Sequence, residues 1–286
     1  MDDNFMILGN IAVTRHSMPI QFTHKRSMDR HENHVLHLNN HLEVYIYVKG
    51  NHKYIVENRI YELKRGDIIL INPREVHKAL PTEPCQYERF YLLIDEHCFD
   101  GFAYNPLKIL LQSSPDTSNL ISPSPQVREQ ILQLLYGISD CFARKQNRQT
   151  QALGSVLQLL DICNQQRVQE VPSANYTASV PELLEKILSY VAENTATIQY
   201  TTQIAHALGM SPQYLSSYFS KHIGTSLSVY IQTKKIALAK ELLSKGADVT
   251  AACFDSGFND CSYFIRVFKK QVGVTPLHYR RKMQKN

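Results

Sequence analysis

The last third of the chain carries one unit twice, and that repeat limits the possible folds more than any other feature. At a spacing of 49 residues, Tyr214 falls on Tyr263, Leu215 on Phe264, Phe219 on Phe268 and Lys221 on Lys270. Ile223 falls on Val272, Gly224 on Gly273 and Tyr230 on Tyr279. Upstream, at a spacing of 48, Ala205 meets Cys253 and Gly209 meets Gly257. A period of this length marks two copies of one supersecondary unit.

Each copy reads as helix, tight turn, helix. In the first, Thr201–Leu208 is predicted helical, and Gly209 ends it because glycine accepts a left-handed backbone at little cost. Ser211 caps the next helix and Pro212 suits its first position. Tyr214, Leu215, Tyr218 and Phe219 give the expected buried face. In the second copy Thr250–Ser256 is the first helix, Gly257 the stop, and Asn259 or Asp260 the cap. Tyr263, Phe264, Val267 and Phe268 form its buried face. Two helices joined in this way make a helix-turn-helix, whose second helix enters the major groove of DNA. Between the copies, Leu227–Ser244 is a glycine- and proline-free helix of roughly 27 Å at ~1.5 Å per residue. It can hold two recognition helices about one DNA turn apart.

Charge follows the same division. Residues 1–179 contain 18 Lys+Arg and 19 Asp+Glu, whereas residues 180–286 contain 13 and 7. The formal charge of +5 therefore resides in the last third, which points to a polyanion partner for that part.

The first hundred residues read as β-structure. Leu42–Val48, Tyr54–Val56, Ile60–Leu63, Ile68–Ile71 and Tyr87–Ile94 are short apolar runs separated by turn residues, which suggests an antiparallel sandwich or barrel. From about residue 104 the pattern becomes helical, with Pro106–Gln112 a short apolar segment and Ser113–Pro125 a loop. Gln126–Arg144 places Val127, Ile131, Leu134, Leu135 and Ile138 at helical spacing. Gln151–Cys163 does the same with Leu153, Val156, Leu157, Leu160 and Ile162. These two helices either cover the barrel or pair between subunits, and pairing is the favoured expectation. Gln165–Val180 is polar, lacks periodicity and reads as a linker. The expected division is a domain over 1–165, a linker over 166–180 and a second domain over 181–286.

No apolar run is long enough to span a bilayer, and the acidic start MDDNFMILGN lacks the basic and apolar regions of an export signal. A cytoplasmic protein with no membrane association is expected. The six cysteines form no C-x-x-C pair and read as reduced thiols, mostly in the core.

The stretches LGMSPQYLSSYFSKHIGTSLSVYI (208–231) and DVTAACFDSGFNDCSYFIRVFKKQVGVTPLHYR (248–280) closely resemble the AraC/XylS family of bacterial transcription regulators. The resemblance covers about 100 residues. It implies seven helices carrying two helix-turn-helix motifs. Three positions depart from the family pattern: Lys235 stands where Arg is usual, Cys253 where Ala is usual, and Ala251 at a commonly acidic position. More weakly, the first part resembles the cupin-like sensor domain of many members. His37, Glu43, Gly50, the Arg65-Gly66-Asp67 turn, Asn72-Pro73 and His77 carry that likeness. Metal-binding cupins use H-x-H-x(3,4)-E and a later His; here Asn39 replaces the second His, although His41 lies nearby, so neither a bound metal, a cofactor nor a catalytic residue is expected.

The resulting expectation is an α+β protein: a cupin-like β-barrel with trailing helices, then an all-α domain. It implies a sequence-specific, DNA-binding transcription regulator, an activator contacting RNA polymerase, a homodimer, and a response to a sugar or related metabolite. His37, Glu43 and Tyr45, with His77 and Tyr47, are the expected ligand residues. On the first recognition helix Gln213, Ser216, Ser217 and Ser220 face outward, with Lys221 at its end. On the second, Cys261, Ser262, Ile265 and Arg266 do, followed by Lys269 and Lys270. Gln reads adenine and Arg reads guanine through paired hydrogen bonds; a good pair supplies roughly 1–3 kcal/mol of discrimination. Lys221, Lys234, Lys269, Lys270 and Arg280 suit phosphate contacts. The alternatives are a metal-dependent cupin enzyme with a nucleic-acid module, and a regulator without an effector.

Overall fold

The computed structural model describes residues 4–14, 19–29, 36–39, 41–73, 75–111, 118–144, 148–169 and 181–283. Its first part holds two antiparallel sheets. The larger sheet has the order β1 (Phe5–Ile11), β2 (Ile20–Asp29), β9 (Cys85–Ile94), β4 (Leu42–Lys49), β7 (Ile68–Ile71), β10 (Leu120–Ile121). The smaller has the order β3 (His37–Leu38), β8 (Val76–Pro81), β5 (His52–Val56), β6 (Arg59–Glu62).

Strand alternation builds four layers. One face of the larger sheet presents Phe22, Val44, Ile46, Ile68, Leu70, Phe90 and Leu92. The helices α1 (Pro125–Ala143) and α2 (Gln149–Gln169) cover it with Ile131, Leu135, Ile138, Val156 and Leu160. The apolar stripes expected to pair subunits are therefore buried against the sheet of their own chain. That corrects the expectation of pairing through these faces: the sheet's outer face is apolar over most of its extent, with the His24–Glu88 pair at one side, and needs a cover.

The opposite face of the larger sheet meets the smaller one across Tyr45, Tyr47, Ile69, Ile71 and Tyr87 on one side and Tyr54, Val56, Tyr61 and Ala79 on the other. The outer face of the smaller sheet, with Leu36, Ile55, Ile60, Val76 and Leu80, packs into the same apolar cluster as Leu227, Tyr230 and Ile231 of the second part. The two parts thus share a core.

Several boundaries differ from the sequence reading. β8 occupies the interval between the Ile68–Ile71 and Tyr87–Ile94 runs, read from the sequence as turn residues, and residues 96–110 form turns that bury Leu107 and Leu110. α2 continues to Gln169, so the first residues of the expected linker are helical; 170–180 lie outside the described residues. The Asp67 turn is fastened to α1, because Arg128 Nη2 and Ser122 Oγ both donate to Asp67 Oδ1 at 2.8 Å.

The second part has seven helices among its described residues: α3 (Glu182–Asn194), α4 (Thr201–Ala207), α5 (Pro212–Ile223), α6 (Leu227–Ser244), α7 (Val249–Asp255), α8 (Cys261–Val272) and α9 (Pro276–Met283). α6 has the predicted bounds. No disulfide joins the six cysteines, and Cys98, Cys141, Cys163 and Cys253 are buried. Among the described residues no helix is long and apolar enough to cross a membrane.

Candidate DNA interface and effector pocket

Both helix-turn-helix units have the predicted turns. Gly209 sits at φ 66° and Gly257 at φ 89°, in the left-handed region. Ser211 accepts a hydrogen bond from the Tyr214 amide at the start of α5, and Asp260 does the same for Tyr263 at the start of α8. Of the two cap candidates Asp260 is the cap; Asn259 instead donates to Gln199 Oε1 at 2.8 Å. Lys235, buried in α6, donates to Gly257 O at 2.6 Å and ties the connecting helix to the second turn. Burial lowers its pKa.

Gln213, Ser216, Ser217 and Lys221 are exposed on α5, and Ser262, Arg266, Lys269 and Lys270 on α8. Ile265 is also outward, and Ser220 is half-buried. Arg266 lies 5.5 Å from the centre of the Tyr263 ring and has no ion pair among the described residues. Four expectations are corrected. Cys261 is half-buried against the core of the second unit, where helix geometry turns it toward Cys253. Tyr214 is 54% and Tyr263 42% exposed, because each occupies the third position of its helix, beside the turn rather than over the core. Lys234 is ion-paired with Glu57 of the small sheet, which occupies the charge expected to meet phosphate. Tyr218 is half-buried rather than buried.

The two sheets enclose a cavity of about 280 Å³ lined by His37, Asn39, Glu43, Tyr45, Tyr54, Ala79, Tyr87, Arg89, Tyr91 and Leu93. Three of the expected ligand residues, His37, Glu43 and Tyr45, line it. His77 is fully buried behind them, its ring 4.2 Å from that of His37. Tyr47 lies outside the lining and donates to Gly50 O. The sequence reading missed Arg89 and the tyrosines at 54, 87 and 91; the period-2 pattern of Tyr87, Arg89, Tyr91 and Leu93 along one strand was the available signal. Tyr45 and Tyr87 share a hydrogen bond through their hydroxyls. Burial pushes the Tyr45 and Tyr54 phenols well above their ordinary range, so both stay neutral.

At one end, Asn39 Nδ2 donates to Glu43 Oε2 at 2.6 Å, and His77 Nε2 lies 3.2 Å from the same oxygen. The ligand-type atoms of His37, Glu43 and His77 lie within 4.8 Å of one another. Two imidazoles and a carboxylate at that spacing match the donor set of a three-ligand divalent site.

A sheet-built pocket joined to paired helix-turn-helix units defines a ligand-linked, DNA-binding transcriptional regulator. Residues 20–160 match the AraC-like ligand binding domain and residues 204–282 a helix-turn-helix domain. The chain belongs to the AraC family of transcriptional regulators. It is 25% identical over 248 residues to the HTH-type transcriptional regulator YpdC of Escherichia coli, covering 84% of this chain and 81% of that one. It is 23% identical over 282 residues to the HTH-type transcriptional activator RhaR of Yersinia pestis, covering 93% and 90%. The transcriptional activator RhrA of Rhizobium meliloti is 33% identical over 95 residues, 32% of this chain and 30% of that one. Among solved structures, fatty-acid-bound ToxT of Vibrio cholerae matches with 14% identity over 94% of this chain and 97% of that one, at a TM-score of 0.41.

Proposed function

We propose that this regulator is a cytoplasmic, non-catalytic activator that binds a sugar or related metabolite between its two sheets. Occupancy changes how the helix-turn-helix pair is held, by population shift between arrangements. One observation carries this reading: β8 touches both sites. Ala79 lines the cavity, while its neighbours Lys78 and Leu80 face the second domain. Lys78 Nζ donates to Ile223 O at 3.0 Å and Gly224 O at 3.2 Å, at the C-terminal end of the first recognition helix. A ligand that moves β8 therefore moves the end of α5.

Gln213, Ser216, Ser217, Ser220, Ser262 and Arg266 are the proposed base-reading surface, with Lys221, Lys269 and Lys270 on phosphates. Cys261, being half-buried, supports the helix rather than reading bases. The proposed domain division extends the sensor from the expected 165 to Gln169, the end of α2, and keeps 181–286 as DNA-binding domain. Activation is supported by the likeness to the transcriptional activators RhaR and RhrA, and contact with RNA polymerase is proposed as its means. Homodimerisation is assigned to the open edge at β1, where Met6 and Leu8 are 56% and 61% exposed.

The test is fluorescence anisotropy with DNA upstream of the protein's own and neighbouring genes, across a salt series, with sugars added. Selective binding is expected, weakened by Arg266→Ala by roughly 1–3 kcal/mol on the preferred site and less on others. Equal loss on all sequences would move Arg266 to a phosphate role. Failure to select any sequence, with or without sugars, would sink the regulator reading for these targets.

A further inference from the structure

The cavity holds one charge that no described residue balances with an acid. Arg89 projects from β9 between Tyr87 and Tyr91. Its guanidinium lies 4.2 Å from the centre of the Tyr87 ring, and its Nη1 is buried without a hydrogen-bond partner. Among the described residues it forms no ion pair. By contrast, three cations of this sheet region pair with acids: Arg26 with Glu88, Lys53 with Glu62 and Arg128 with Asp67. The strand register sets Lys25 on one side of Arg89 and Tyr47 on the other, so its cross-strand neighbours supply a second cation and no acid. The one carboxylate in the lining, Glu43, is opposite Leu93, four positions further along β9. At ~3.4 Å per residue that is roughly 14 Å along the strand, and Glu43 is already engaged by Asn39 and His77. The phenols between them stay neutral. A half-buried guanidinium with one nitrogen buried and unpartnered is unfavourable there unless a ligand completes it.

We infer that the effector is an organic carboxylate whose acid group pairs with Arg89 and whose flat or hydroxylated body lies along Tyr45, Tyr54, Tyr87 and Tyr91 toward Glu43 and His37. The planar guanidinium suits a carboxylate through two parallel hydrogen bonds. This deepens the effector-pocket reading and rests on it. It narrows a sugar or related metabolite to an acid.

Two matched pairs test it on the full chain by calorimetric titration and thermal shift at constant ionic strength: glucuronate against methyl glucoside, and 4-hydroxybenzoate against 4-hydroxybenzamide. The first pair carries a sugar body and the second an aromatic one. At least one acid is expected to saturate at one per chain and to bind about tenfold or more tightly than its neutral partner. Arg89→Met is expected to abolish that preference while the ligand-free protein melts no lower than wild type; Arg89→Lys retains part of it. Should Arg89→Met fail to fold, the acid-against-neutral comparison on wild type decides alone. Neutral partners binding as well as acids, acid binding unchanged by Arg89→Met, or no acid saturating would each overturn the inference. Neutral binding lost in Glu43→Gln but kept in Arg89→Met would overturn it and leave the pocket reading standing. No binding together with unchanged regulation in both variants in cells would remove both.

Discussion

Glu88 is the residue on which the covered face of the larger sheet depends. It is buried, and burial alone would raise its pKa. Hydrogen bonds from His24, Tyr136 and Arg26 outweigh that effect and bring it down to about 2, from an ordinary value of 4.5. His24 in turn bonds Ser139 of α1 at 2.8 Å, so the carboxylate joins β2, β9 and α1. A folded-state pKa below the unfolded one gives stability that is complete above pH 4.5 and lost as pH falls toward 2. The gap corresponds to roughly 3 kcal/mol. Urea unfolding at pH 7, 4 and 3 is expected to show a steeper acid loss for wild type than for Glu88→Gln, which begins less stable at pH 7. Parallel acid curves for the two proteins would refute the assignment. The same strand explains why the pocket was hard to read in the sequence. Glu88 and Arg89 are adjacent charges, the usual mark of a solvent-facing turn, yet alternation buries one under the helices and directs the other into the cavity.

At the scale of elements, legibility followed how completely packing dictated composition. β4 and β7 are apolar on both faces and were visible as continuous runs. β2 was not, because its inward positions include His24 and Arg26, which serve the Glu88 network rather than an apolar core. β8 was masked by Lys78 and Pro81, although Lys78 is 2% exposed. The helix-turn-helix units were legible almost residue by residue, since caps and turn glycines are local requirements. Their two turns are not equivalent in tolerance. At Gly257 an added Cβ would stand 2.3 Å from Ala196 O, in addition to the left-handed backbone. At Gly209 it would meet nothing within 4 Å. Gly209→Ala is expected to lower stability by about 1–2 kcal/mol, the left-handed penalty alone. Gly257→Ala adds backbone displacement and should lose roughly 3 kcal/mol or more. Chemical denaturation of both variants checks the order; equal losses would mean that the loop holding Ala196 yields freely.

At the scale of the molecule, the question is whether sensor and DNA-binding domain act as one body. No sequence pattern announced their contact, because its members look like ordinary surface charges or core residues until the fold brings them together. Lys78 reaches the end of α5, Tyr230 Oη donates to Glu57 O at 2.9 Å, and Lys234 pairs with Glu57 across the same seam. Burial lowers Lys78 to about 8 and would make it a poor residue to keep there without the two carbonyls it meets. Lys78→Met keeps the apolar stem and removes those bonds, leaving Ile223 O and Gly224 O without the cation. The loss should be roughly 1.5–3 kcal/mol, as for other hydrogen bonds to charged groups. Hydrogen exchange is expected to quicken at the end of α5 and along β8 in this variant, with DNA affinity becoming less sensitive to ligand. Lys49→Met, which removes only the exposed bond to Gln86, should change neither. Unaltered exchange at α5 in Lys78→Met would mean that the seam does not hold the domains in solution, and transmission would then have to run through the chain between α2 and α3.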